Sequence, residues 1–255
     1  MFSPALAHRQ RKLAQQSATT AKKAAKAGQA PEMDEAAEGN SEYRSLLASL
    51  HNDLRALSGI QSIEKRIEKK RKLILPYLPW VKGALEIGER EKAPQDEIVV
   101  TAMIWALDIQ NWELAIEIAA HCIRHGLQLP ERYNRTLPCL VVEEIATAAI
   151  AAPGSVDSDT LRTAILIAEG DMPDQVKAKI YRAMGESIAA EAEAFDPNAA
   201  TARAGGKAAL VDAALRALKR ALELNAKVGV KKLIEQLERE AKKLAAAGDD
   251  GGGNE

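Results

Sequence analysis

The sequence predicts an all-α protein, and three observations carry that expectation. Alanine and leucine supply much of the apolar content, and only 4% of the chain is aromatic. Alanine and leucine lead the helix scale, whereas strands draw on β-branched and aromatic residues. Apolar positions recur at spacings of three and four, the period of one helix face. Pro76, Pro79, Pro173 and Gly126 stand at the edges of such stretches, where a helix starts or stops. At 255 residues the chain can form one large or two small domains with a real core.

Residues 1–40 carry no acid before Glu32. Arg9, Arg11, Lys12, Lys22, Lys23 and Lys26 are spread through alanine, glutamine, serine and threonine. With few large apolar residues to bury, this segment is expected to be a largely disordered basic arm, or a helix ordered only on DNA. Its end, "GQAPEMDEAAEGN" at 28–40, reads as a linker.

Residues 41–75 are expected to form a helical hairpin for DNA binding, oligomerisation or both. Ser41 and Glu42 open a helical pattern in which Leu47, Leu50, Leu54 and Leu57 form a seam. "SGI" at 58–60 interrupts it. Ile60, Ile63, Ile67 and Ile74 resume it, with Lys70 in place of one apolar member. Helices this short need a partner for the stripe, either within the chain or on a second copy.

Residues 76–195 are expected to be a helical body. Pro79 suits the first turn of a helix running from Trp80 to about Ile87. "QDEIVVTAMIWALDI" at 95–109 is apolar enough for a core helix. The next helix places Trp112, Ala115, Ile116, Ala119 and Ile123 on one face, with Gly126 as its C-cap. Residues 139–152, 157–170 and 173–194 read as three more helices. Asp157 or Ser158 caps the second of these, and Pro173 starts the third. Residues 196–206 form a linker, 207–246 a C-terminal helical hairpin, and 247–255 a flexible tail. Small alanines beside large residues in successive helix pairs suggest tetratricopeptide-like hairpin stacking, without a strict period.

Charge is unevenly distributed. Residues 1–83 carry +7, 84–200 carry −11, 201–243 carry +6 and the last twelve −3. Basic ends around an acidic middle suggest a polyanion for the ends and fold or partner roles for the middle. The run "KRIEKKRKLILPYLPWV" at 65–81 concentrates the charge. Lys65, Arg66, Lys69, Lys70, Arg71 and Lys72 occupy about two helical turns, and Glu64 and Glu68 offset only part of it. Such density suits phosphate contacts that release counterions, but it supplies no fixed donor geometry for reading bases. Pro76 and Pro79 then mark the join to the body, with Tyr77 and Trp80 as expected anchors.

Catalytic signatures are not legible. No GxxxxGK[ST] phosphate loop, nucleophile elbow or Gly-rich dinucleotide fingerprint occurs. Asp171, Asp174 and Lys177 within "DMPDQVK" could suggest a metal nuclease, but they read better as a loop and a helix N-terminus. Glu117, His121 and His125 share one helix face, and two such histidines can ligate zinc. A complete site needs more ligands, and the expected reading is a polar stripe. Cys122 and Cys139 are expected to be buried free thiols in a reducing cytoplasm. No apolar run reaches the length of a membrane span. No cofactor is expected.

Several stretches together resemble one family. "LPYLPWVKGALEIGE" (75–89), the residues from 96 to 149 around "WALDIQNWELAIEIAAHCIRHG", and "EGDMPDQVKAKIYRAMG" (169–185) are similar to the terminase small subunit of temperate tailed phages of the P-two type. So are the opening "MFSPALAHRQR" and the closing "ALKRALELNAKVGVKKLIEQLERE". The resemblance implies an oligomeric subunit without ATPase activity, acting in the host cytoplasm. Such a subunit recognises the packaging site in double-stranded viral DNA and recruits the large ATPase-nuclease subunit for cleavage and packaging. Family members are also described as the endonuclease subunit, although no nuclease residues stand out. The alternatives are a helical-repeat adaptor that binds only protein, and an intrinsic endonuclease.

Overall fold

In the computed structural model, the described residues are 12, 33–167, 172–199 and 205–250, without the side chains of 33–40, 167 and 247–250. All regular structure among them is helical. They divide into two compact units, Met1–Leu137 and Pro138–Glu255.

In the first unit, α1 spans Met33–Ser58 and so begins ahead of Ser41, within the segment read as linker. The "DEAAE" stretch there is rich in helix formers, which outweighs its low apolar content. Ser62 caps α2 (Ile63–Leu73) by accepting from the Lys65 backbone N–H at 3.3 Å. Pro76 sits in a 3-10 turn, Leu75–Tyr77, and Pro79 in the first turn of α3 (Leu78–Gly88). The two prolines therefore redirect the chain between helices with almost no loop.

The centre of this unit is α4 (Glu97–Asp108), in which every residue from Ile98 to Leu107 is buried. A helix apolar on all sides has to be surrounded. Helices α1, α2, α3 and α5 (Trp112–His125) all pack on it. Burying one large aliphatic side chain contributes roughly 1.5–3 kcal/mol, so α4 is the main source of cohesion here.

The face of α5 differs from expectation. Ala115, Ile118, Ala119 and Cys122 are its buried stripe, while Trp112, Ile116 and Ile123 are only half-buried. Small side chains let α5 approach α4 closely and leave the bulkier residues at the margin. Asn111 caps α5 by accepting from Leu114 N–H at 3.3 Å. Gly126 ends it with φ 69°, a left-handed conformation that favours glycine.

The second unit contains α6 (Leu137–Ala151), α7 (Ser158–Ile167), α8 (Asp174–Glu193), α9 (Gly206–Leu224) and α10 (Lys231–Asp250). Asp157 caps α7, accepting from the Thr160 backbone N–H at 2.7 Å. Helices α8, α9 and α10 share one core, which includes Ala178, Ile188, Val211, Leu218, Val228 and Leu237. Among the described residues the packing of α8 on α9 is the most extensive between helices, and Gly185 makes it possible. A Cβ there would lie 2.6 Å from Leu218 Cγ. Chain neighbours provide most of the helix–helix packing, as in a helical-hairpin body, without establishing a tetratricopeptide arrangement. Cys122 and Cys139 are free and buried. Among the described residues no helix is long and apolar enough to cross a membrane.

Candidate nucleic-acid interface

Four tyrosine and tryptophan side chains fix the short basic helix α2 and its surroundings. Tyr77 donates its hydroxyl to Asp53 Oδ2 at 2.7 Å, tying the turn after α2 back to α1. Its ring meets Trp105 of α4 edge-on, with centroids 6.0 Å apart. Trp80 donates its indole N–H to Asp96 Oδ2 at 2.8 Å and packs against Tyr43, with centroids 5.4 Å apart. Asp96 is also the N-cap of α4, accepting from Ile98 N–H at 2.8 Å and Val99 N–H at 3.1 Å. Burial pushes its carboxyl above the ordinary range, against those donors. Burial and Asp53 push the Tyr77 hydroxyl up, so it stays a neutral donor. Tyr77 and Trp80 are thus anchors, as expected, and the join between α2 and the rest of the unit is a packed one.

The six cations of α2 divide into two groups. Arg66 folds back and donates to the backbone carbonyls of Ile60 and Gln61, which holds the α1–α2 turn. Lys70 donates to Asp108 Oδ2 at 2.5 Å, with its side chain only 17% exposed. Asp108 is the last residue of α4, so Lys70 also sits at the negative end of that helix dipole. Both of these cations serve the fold. Lys65, Arg71 and Lys72 are exposed and Lys69 is half-exposed. Lys72 pairs with Glu68 at 3.0 Å and holds that carboxyl below its ordinary range. Such an exposed (i, i+4) pair is weak and yields readily to a phosphate. The solvated group is therefore Lys65, Lys69, Arg71 and Lys72. The signal for Lys70 was present in the sequence, because it occupies a seam position.

The seam itself is split. Leu50 and Leu57 are buried within the unit, and Leu47, Leu54, Ile60 and Ile67 are half-buried. Ile63 is 71% exposed. Lys12 is exposed, while Arg9, Arg11, Lys22, Lys23 and Lys26 lie outside the described residues.

The histidines of α5 do not form a polar stripe with Glu117. Glu117 is exposed, but His121 is buried, and its ring lies 4.5 Å from that of His125. The reason is Gly88, at the end of α3. A Cβ there would stand 2.5 Å from His121 Nδ1 and 2.8 Å from His125 Nε2. His125 Nδ1 accepts the Ala93 backbone N–H at 3.2 Å. Burial, then the neighbouring His125 and Arg124, push His121 down to about 4. The imidazole is thus a neutral packing group. Among the described residues, no group of three or more His, Cys, Asp or Glu could hold a metal ion. Asp174 is exposed in the first turn of α8, Lys177 is half-buried, and Asp171 lies outside the described residues.

A family model described as phage small terminase subunit matches residues 47–175, which include α2 and its anchors. The chain is 41% identical over 204 residues to the "Terminase, endonuclease subunit" of Escherichia phage P2, covering 78% of this chain and 74% of that protein. It is 28% identical over 220 residues to the "Probable terminase, endonuclease subunit" of Haemophilus phage HP1, covering 84% and 75%. No solved structure matches the chain.

Proposed function

The chain belongs to the phage small terminase subunit family, and from that premise we propose that it binds the packaging site in viral DNA and recruits the large terminase subunit. The observation that carries the DNA contact is the solvated cation face of α2. Lys65, Lys69, Arg71 and Lys72 project from a helix whose other two cations hold it in place. A positive face on a fixed element positions a duplex by its phosphates, and the basic residues that precede α1 in the sequence would add phosphate contacts of their own. The exposed part of the seam, around Ile63, is where a second copy would join. Large-subunit recruitment rests on family membership alone.

The test is duplex binding by the full chain as a function of salt. Replacing Lys65, Lys69, Arg71 and Lys72 by glutamine should weaken binding. It should also make the salt slope shallower by about 0.9 for each phosphate no longer neutralised. Unchanged affinity and slope would refute a DNA role for α2 and favour the protein-only adaptor.

A second reading takes up the printed names of the two phage relatives, which are called endonuclease subunits. If cutting is intrinsic to this chain, the isolated protein should nick duplex DNA with magnesium or manganese and lose that activity in Asp174→Asn. Cutting that occurs only with the large subunit would assign the chemistry there.

A further inference from the structure

The end of the chain carries a second strongly basic surface. Helix α10 packs Leu233, Ile234, Leu237, Ala241 and Leu244 against the core of the second unit. Two of its three acids in the stretch 231–243 are neutralised from α9: Glu240 by Lys207 at 2.8 Å and Glu238 by Lys219 at 2.7 Å. What remains on the outer side is Lys231, Lys232, Arg239, Lys242 and Lys243, exposed or half-exposed, against Glu235 alone. Lys227, in the turn before the helix, adds a sixth solvated cation. None of the six makes a salt bridge among the described residues.

Arg239 donates to the Glu235 backbone carbonyl of its own helix at 3.1 Å, whereas among the described residues no hydrogen bond or salt bridge holds the five lysine side chains. Lys231 and Lys232 stand in the first turn of α10, where a cation opposes the helix dipole. A local rule broken without a compensating interaction marks a functional surface more often than a structural one. Lys232, Gln236, Arg239 and Lys243 follow one another at i, i+4, i+7 and i+11, a single stripe. The stripe is roughly 16 Å long at 1.5 Å per residue. Duplex DNA offers phosphates about 3.4 Å apart along its axis on each strand, so several fall within that length. The turn that presents Lys227 is also held. Asn225 Oδ1 accepts from Lys227 N–H at 3.0 Å, and Arg182 Nη1 donates to the Val228 carbonyl at 2.9 Å.

We propose that the outer face of α10, with Lys227, is a second binding surface for the phosphate backbone of duplex DNA, separate from α2. The proposal rests on the reading of the chain as a DNA-binding subunit. It gives the chain a second contact with the sugar-phosphate backbone, with no base reading at this point. The occupant is DNA rather than an acidic protein because the surface presents six exposed cations, three of them in one row along α10, with no large exposed apolar side chain among them for a protein partner to cover.

The experiment uses the full chain and a fluorescent duplex over a range of salt. The fourfold variant Lys231→Gln, Lys232→Gln, Lys242→Gln, Lys243→Gln should melt no lower than wild type, because none of the four side chains is buried or in a salt bridge and two of them oppose the α10 dipole. It should bind at least tenfold more weakly at about 0.1 M salt, with a slope shallower by about 0.9 for each phosphate released. Glu235→Lys should tighten binding, a gain that no folding defect can imitate. If the fourfold variant binds like wild type while the α2 variant is weakened, this proposal fails and the α2 reading stands. If only the α10 variant is weakened, the α2 reading fails instead. Polyglutamate that displaces the duplex as strongly as unlabelled DNA at equal charge would overturn the assignment of phosphate as the ligand.

Discussion

Gly88 and His121 are the pair on which the packing of α3 against α5 depends. In Gly88→Ala the new methyl would stand 2.5 Å from His121 Nδ1, so the imidazole would have to move. Overpacking of this kind costs about 1–3 kcal/mol. Thermal melting should show that loss, and adding His121→Ala should recover part of it. His121 also gives the fold a pH dependence. Its folded value is about 4, below the ordinary 6.5, so the unfolded chain binds the proton more readily. Its contribution is complete above pH 6.5 or so and is lost as pH falls toward 4. The melting temperature should therefore drop across that window, and His121→Leu should remove that part of the drop. The sequence could not reveal this. Histidines four apart beside a glutamate look like a wet face, and the glycine that makes room for them lies 33 residues earlier in the chain.

At the scale of elements, charge alone is a poor guide to purpose. Six cations in α2 look equivalent in the sequence, yet Lys70 and Arg66 are structural while the other four are solvated. Lys70→Ala should lower the melting temperature by leaving Asp108 without its half-buried partner. Lys65→Ala should leave melting unchanged. Asp96→Ala removes a helix cap and the acceptor of the Trp80 N–H together, and should cost about 2–3 kcal/mol in a denaturant titration. Most helices were legible, because the apolar period, Pro79, Asp157 and Gly126 act locally, but the first turns of α1 were not, because residues 33–40 carry no apolar period. The orientation of α5 was not. Two faces of that helix carry apolar residues, and only the all-round burial of α4 decides which one turns inward.

For the whole molecule, the seam that suggested self-association is only partly free. Leu50 is fully buried, so Leu50→Asp should unfold the first unit rather than separate subunits. Ile63→Asp is the informative substitution. Native mass should fall to that of a monomer at unchanged melting temperature if that exposed stretch joins copies. The alternation of charge along the chain suggests a division of labour, but its finer arithmetic depends on which groups the fold pairs. In the C-terminal helices the acids of α10 are matched by lysines of α9, and that pairing leaves one side of α10 nearly uniform in sign.

The close approach at Gly88 also constrains how such sequences can vary. A side chain at this position and an imidazole at the position of His121 compete for the same space, so each is costly in the presence of the other. Substitutions at the two sites should therefore occur together. A relative with alanine or serine in place of this glycine is expected to carry a smaller residue than histidine across the gap, and the route in which His121 shrinks first avoids the overpacked intermediate.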